Sequence, residues 1–481
     1  MLRFHHIMIG LVFMFLHGSA STQAIAQSPG WSASFGRYGP NGTVETSIIY
    51  QGKLVFVGNF SDIAKATDPN EKLLEDCYGI VAWDGLNWNK LNGGITSTPA
   101  SSTPGIALTA DVFGGYLFIG GKFGGVDGQS ANGLARWDGS DWVVVSIPSG
   151  FDEVVSLKVG RTSAGNPSLW AVVGYESSYA VYETTDTSPT TTSWTLRAGD
   201  VTGRSRLMFP VDDDDDFMYL GGVDSISGMS NTLGLLLWSP ADEQWGRMLE
   251  DINAPYTCTN RLVNGPLVPA FDAAVFDGLI FFGAGFSSEG LCYETGPQFT
   301  GVLETWDPTS VPRWNRGGNL VSLSSGGAQG KSLAVYSECG DPVLFVAGHM
   351  PATGETDLFS LVMLDDGVIR VPEGGTSNGI GNSVIVYDGW VYVSGTISNV
   401  AGIAVSRVAR WGCAVDCLSL DVNGDTFYDV LDILDFIDAF AVCEDQPSPC
   451  MHNGVDPNIN GDEVVDIVDF LAFFDLQGQC E

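Results

Sequence analysis

The chain has 481 residues, with 21 Lys+Arg against 57 Asp+Glu and a formal net charge of −36. Phosphate binding needs a Lys/Arg footprint, so this charge argues against nucleic acid and anionic membranes as partners. With 61 glycines, 13 tryptophans and a charged fraction of only 16%, the composition is that of a turn-rich all-β protein, long enough for a large domain and a smaller one.

Residues 1–26 read as a secretory signal peptide. Arg3 gives a short positive start, Ile7 to Leu16 is an apolar run too short to span a bilayer, and Ala24-Ile25-Ala26 supplies a small-x-small cleavage pattern. No later segment has the roughly 18 apolar residues that a membrane helix needs. The expected location is therefore extracellular or at the cell surface, where disulfides are plausible. The cysteines are Cys77, Cys258, Cys292, Cys339, Cys413, Cys417, Cys443, Cys450 and Cys480. Cys258–Cys292 and Cys443–Cys450 are plausible pairs. An odd number leaves at least one thiol free or intermolecular.

After the leader, one pattern recurs. A glycine-ended apolar strand appears as LVFVGNF (54–60), YLFIGGKF (116–123), LWAVVGY (169–175), FMYLGGV (217–223), LIFFGAGF (279–286), VLFVAGHM (343–350) and WVYVSGTI (390–397). Each copy follows another apolar run and a turn, as in AAVFDG and SVIVYDG. Most precede a tryptophan strand, as in GIVAWDGLNW, GLARWDGSDW and RVARWG; the third and sixth copies are degenerate there. Each unit therefore holds about four strands, with antiparallel hairpins marked by Gly and Asp-Gly. The seven copies are spaced roughly 47 to 64 residues apart, close to the longer propeller repeats. Residues 27–412 are expected to form a seven-bladed β-propeller. The last unit lacks its outer strand, and residues 30–36, GWSASFG, resemble the missing piece, so they are expected to close the last blade. The Gly-Gly and Trp-Asp-Gly punctuation of residues 30–412 resembles kelch-like propellers and related secreted bacterial propeller repeats. That resemblance implies a fold and hardly any function. Asp212–Asp216, five aspartates in the fourth unit, read as a solvated hairpin tip or a cation holder.

Residues 413–481 contain no Lys or Arg and sixteen Asp or Glu. Two segments there align, each followed by an apolar run of helical character, ILDFIDAF and FLAFFDL. Oxygen side chains at loop positions 1, 3, 5, 9 and 12, with a backbone carbonyl at 7, form the ligand pattern of a calcium loop. The pair resembles a dockerin. By that resemblance the first site uses Asp421, Asn423, Asp425, the Phe427 carbonyl, Asp429 and Asp432. The second uses Asn458, Asn460, Asp462, the Val464 carbonyl, Asp466 and Asp469. Two calcium ions are implied, the second bound more weakly because Asn458 replaces an aspartate. The resemblance also implies a protein partner for the tail. Positions 10 and 11 are Val430, Leu431, Ile467 and Val468, unlike the hydroxyl residues of the best-known dockerins. Either the partner is not a cohesin, or these residues pack between helices. The insert at 441–457 departs from the compact form as well.

Catalytic signals are sparse. After the leader only His349 and His452 remain, which leaves little room for a His-rich metal site or a Ser-His-Asp triad. Gly375-Thr376-Ser377-Asn378-Gly379 matches GxSxG by letter but lacks a strand-to-helix context. Many carboxylates could serve sugar hydrolysis, and no pair is singled out. The expectation is a secreted, non-catalytic protein whose propeller binds a protein or polysaccharide and whose tail attaches it to a partner or the cell surface. The alternative is a carbohydrate-active hydrolase or lyase with the same tail.

Overall fold

The computed structural model describes residues 30–32, 35–175, 178–188, 193–203, 205–208, 218–240, 242–247, 270–284, 303–306, 314–316, 329–337, 341–351, 358–365, 368–372, 377–412, 430–444, 446–447, 464–465 and 470. The leader, Asp212–Asp216 and the cysteines Cys258, Cys292 and Cys450 lie outside the described residues. So does most of both calcium loops.

Antiparallel four-stranded meanders dominate. In chain order, sheet 1 pairs Thr43–Tyr50, Lys53–Asn59, Ile80–Trp83 and Trp88–Asn89. Sheet 2 pairs Ile106–Phe113, Tyr116–Lys122, Leu134–Trp137 and Trp142–Val144. Sheet 3 has Glu153–Arg161, Pro167–Tyr175, Ser178–Thr184 and Thr195–Val201. Sheet 4 has Arg206–Met208, Met218–Ile226, Met229–Ser239 and Gln244–Arg247. Sheet 5 has Ala270–Phe276, Leu279–Ala284, Leu303–Trp306 and Trp314–Arg316. Sheet 6 begins with Gln329–Tyr336, Val343–Pro351, Leu358–Asp365 and Val368–Arg370. Sheet 7 places Gly381–Tyr387, Trp390–Gly395 and Val408–Gly412 beside Gly30–Trp31. The last pairing joins the two ends of the ring, Gly30 to Gly412 and Trp31 to Trp411. It is confined to two residues. The chain then turns, and buried Phe35 packs edge-on to Trp83 of sheet 1 and Tyr392 of sheet 7.

In sheets 1, 2, 5 and 7 the first two strands are joined by two-residue hairpins. Gln51-Gly52, Gly114-Gly115, Asp277-Gly278 and Asp388-Gly389 all have positive φ at both positions, the requirement of a type I′ turn that matches the strand twist. The third and fourth strands carry facing tryptophans. Trp83 is opposite Trp88, Trp137 opposite Trp142 and Trp238 opposite Trp245, with ring centroids 5.2, 5.3 and 5.4 Å apart. Such cross-strand aromatic pairs stabilise a sheet beyond the area they bury.

The first strand of each sheet is the inner one. Inner strands touch their neighbours in an unbroken circuit, 1 to 2 through 6 to 7 and 7 back to 1. The apolar core is divided accordingly, into clusters that each straddle one pair of neighbouring sheets. Radial repetition of four-stranded sheets round a channel is a β-propeller. Smaller ribbons, such as Tyr38–Pro40 with Ile63–Lys65 and Lys72–Leu74, are built from the connections at one end of the ring.

Beyond the ring, helix α1 (Val430–Cys443) buries Phe436, Ala439, Phe440 and Cys443. Phe470 stacks on this face, 5.1 Å from Phe440 and 6.3 Å from Phe436. Val464–Val465 pairs with Gln446–Pro447. Among the described residues no helix is long and apolar enough to cross a membrane.

Candidate functional site: the central channel

The inner strands leave one edge unpaired, and these edges enclose a cavity of about 680 Å³ lined by all seven of them. Unpaired strand amides need partners. A shared irregularity supplies them. Opposite the glycine-ended second strand, the inner strand bulges at one register position in sheets 1, 2, 3, 5, 6 and 7. The residue just past the bulge is Thr46, Thr109, Ser156, Asp272, Ser332 or Ser383. Arg206 holds the corresponding place in sheet 4, opposite Gly221 as Asp272 is opposite Gly283.

These side chains reach to the next sheet. The Leu157 amide donates to Thr109 Oγ1 at 2.9 Å, Leu207 to Ser156 Oγ at 3.0 Å, Leu333 to Asp272 Oδ2 at 2.8 Å and Ser47 to Ser383 Oγ at 3.1 Å. Each is one donor on an open edge, satisfied by the preceding sheet. Asp111, two residues further along its strand, adds another such bond, accepting from Val159 N at 2.7 Å.

Both channel aspartates are bound twice by backbone. Asp111 Oδ1 accepts from Val112 N at 2.7 Å, and Asp272 Oδ1 from Ala273 N at 2.9 Å. Asp272 borders the channel and is partly buried. Burial raises its carboxyl above the usual aspartate range, and Lys158 with the Leu333 and Ala273 amides offsets part of that rise. The channel cations are Lys158, Arg206 and Lys331. Lys331 Nζ donates to Asn382 Oδ1 at 2.8 Å, and Asn382 Nδ2 donates to Val44 O at 2.9 Å, which carries the belt from sheet 6 through 7 to 1. Arg206 donates to Val155 O in sheet 3. Lys158 makes no hydrogen bond or ion pair with any described residue.

The other sequence-derived candidates fall elsewhere. His349 sits on the second strand of sheet 6, paired with Gln329. Ser377–Asn378 is a two-residue strand that pairs with Leu358 and with Asn399–Val400. No helix follows it among the described residues, so GxSxG here is not a nucleophile elbow. Of the calcium ligands, Asp432 and Val464 lie within the described residues. Asp432 is fully buried in the first turn of α1. Asp421, Asn423, Asp425, Phe427, Asp429, Asn458, Asn460, Asp462, Asp466 and Asp469 lie outside them. Cys77 is a buried free thiol, pushed up to about 11 by burial. It stays protonated and unreactive at neutral pH.

No protein-family model matches the chain, and no curated protein matches it. Among solved structures it is similar to the extracellular domain of a one-component system from B. thetaiotaomicron. The TM-score is 0.44 at 10% identity, covering 78% of this chain and 40% of that one. The Dos1 propeller is similar at a TM-score of 0.39 and 10% identity, covering 78% of this chain and 93% of its own. The polysaccharide lyase Uly1 follows at 0.35 and 9%, with 76% and 89% covered. The propeller assignment stands on the strand pairing and the closed circuit of inner strands.

Proposed function

We propose that the mature chain is a secreted, non-catalytic binding protein. A seven-bladed propeller over 27–412 takes a protein or polysaccharide, and a dockerin-like tail over 413–481 attaches it in a calcium-dependent way. One observation carries the non-catalytic reading. Both channel aspartates spend their oxygens on backbone amides, Asp111 on Val112 and Val159, Asp272 on Ala273 and Leu333. A general acid or nucleophile needs a carboxylate aimed at substrate rather than one holding two strands together. The decisive experiment offers the full mature chain a panel of polysaccharides and measures both binding and release of reducing ends. Binding without release supports the reading. Release of reducing ends overturns it in favour of a hydrolase or lyase.

For the tail, the residues fit calcium. Asp432 lies buried in the first turn of α1, the place that a position-12 carboxylate takes in a calcium loop followed by a helix. Phe470, one residue past Asp469, packs on Phe436 and Phe440, so α1 meets the segment after the second loop. The first site would be Asp421, Asn423, Asp425, the Phe427 carbonyl, Asp429 and Asp432. The second would be Asn458, Asn460, Asp462, the Val464 carbonyl, Asp466 and Asp469. Bound calcium would cross-link each loop to its helix. A Cys443–Cys450 disulfide would pin the insert. Calorimetric titration of the full chain should show two chelator-sensitive sites, the weaker one lost in Asp462→Ala. A chain that takes up no calcium would sink this part.

A further inference from the structure

The channel carries charge out of character with the rest of the chain. The protein has 57 acidic residues to 21 basic ones, yet Glu45, Asp111 and Asp272 face Lys158, Arg206 and Lys331 in the channel. Two of those three acids have both oxygens engaged by strand amides. Burial pushes one of them, Asp272, toward its neutral form. Lys331 is tied to Asn382. Lys158 remains as an ammonium with no hydrogen bond or ion pair to any described residue, on sheet 3. Arg206 is on sheet 4 next to it, and Asp272 on sheet 5 beyond. Its electrostatic neighbour is Asp272, whose two oxygens are already held by strand amides, so the ammonium donors of Lys158 are open to an acceptor that a ligand brings.

The cavity, about 680 Å³, falls in the roughly 300–1,000 Å³ range of small-molecule sites. Its walls mix hydroxyls, amides and charges with aliphatic side chains, and Phe271 is the one aromatic ring among the described lining residues. Recognition here is therefore by hydrogen bond and charge rather than by stacking on a ring platform. We propose that the channel is an oxyanion site for an acidic sugar, with Lys158 and Arg206 receiving the carboxylate of a hexuronate. The surrounding serines, threonines and Asn382 face its hydroxyls. The negative exterior keeps polyanions off the outer surface at low salt, which favours a single residue or chain end over a long acidic polymer lying across the ring.

This deepens the binding-protein reading and rests on it for the ligand class. The test is calorimetric titration of the full mature chain with glucuronate, glucose and inorganic sulfate, repeated on Lys158→Met. Expected are saturable binding of glucuronate, no heat with glucose, and affinity weakened about tenfold or more in the variant, the scale of one charge-assisted hydrogen bond. Unchanged affinity in a folded Lys158→Met overturns the site. So does sulfate binding as tightly as glucuronate, which would reduce it to an adventitious ion only. If the variant fails to fold, wild-type acetylation decides: glucuronate should slow modification of Lys158 but not of exposed Lys122, and equal rates with and without the sugar overturn the proposal. A chain that binds a neutral glycan and ignores glucuronate loses the channel site and keeps the binding function. A chain that binds neither glucuronate nor any polysaccharide loses the channel site and the polysaccharide form of the reading.

Discussion

A single carboxylate shows how the channel trades charge for structure. Asp272 in the folded protein sits above its ordinary pKa, while in the unfolded chain it ionises near about 3.9. The folded state therefore holds its proton to higher pH. By linkage, stability falls as pH rises from about 4 through the folded value, because the unfolded chain gains more from ionising. Asp272→Asn cannot ionise, so it escapes that loss. It keeps one acceptor oxygen and sets an amide group against one of the two strand N–H donors, which costs about 1–3 kcal/mol. Thermal melts at pH 4, 6 and 8 should thus find the variant well below wild type at pH 4, with the gap narrowing steadily toward pH 8. A gap that widens with pH would mean that the carboxylate is stabilised as an anion. Asp62 behaves in the opposite sense. Burial opposes its charge, but bonds from Ser61, the Asp76 amide and Lys72 outweigh it and hold its pKa low. Its contribution is present above about pH 4 and is lost on acidification.

In sheets 1, 2, 6 and 7 the glycine that ends the second strand and the bulge in the inner strand are one device. A Cβ on Gly58 would collide with the carbonyl oxygen of Thr43, one on Gly121 with that of Ile106, and one on Gly395 with that of Ile380. The bulge tips that carbonyl into the space a side chain would occupy. Gly121→Ala should accordingly cost about 1–3 kcal/mol through forced backbone movement, read as a lower urea midpoint with an unchanged slope. Gly115→Ala, with nothing within 4 Å of its added Cβ, meets only the penalty of its φ of +84° and serves as the comparison. At this scale the sequence was readable. Asp-Gly and Gly-Gly marked the hairpins, and Trp-x₄-Trp marked the outer pair, because both are local and repeat. The bulge left only its glycine visible, without the carbonyl that demands it. The channel residues were harder. Thr109, Ser156 and Ser383 look like ordinary polar positions on half-exposed strands. Their partners lie 48 to 336 positions away, so the belt appears only when neighbouring sheets are side by side. Lys158 and Asp111 carried no local signal either, since each stands in an apolar run whose neighbours say nothing about what faces it.

Across the molecule, neighbouring sheets are clasped repeatedly, forward by tyrosines and backward by tryptophans. Tyr50 donates from sheet 1 to Gly115 O in the hairpin of sheet 2, Tyr336 from sheet 6 to Gly389 O in sheet 7, and Tyr387 from sheet 7 to Gly52 O in sheet 1. At the outer side, Trp142 of sheet 2 donates back to Leu91 O after sheet 1, and Trp245 of sheet 4 to Arg197 O of sheet 3. No interface is an end, so the stability of each depends on closure. Deleting residues 27–32 uncovers the outer edge of Val408–Gly412 and removes Trp31 from beside Trp411. The expected result is a loss of about 2–3 kcal/mol, below the full cost of a buried tryptophan. Concentration-dependent self-association through the bared strand should accompany it on size exclusion. A truncated chain that melts like the intact one would show that the tyrosine and tryptophan clasps alone hold the ring.

The place of that seam also decides how the molecule bears load. The tail departs from Gly412, which belongs not to an edge but to a strand with partners on both sides: Trp411 pairs with Trp31 and with Val391. A pull along the tail is met in shear by two ladders at once, instead of unzipping one ladder pair by pair. The short N-terminal strand thus acts as a mechanical lock on Val408–Gly412. The same two residues that close the ring set the force at which a pull on the tail would strip that strand from sheet 7.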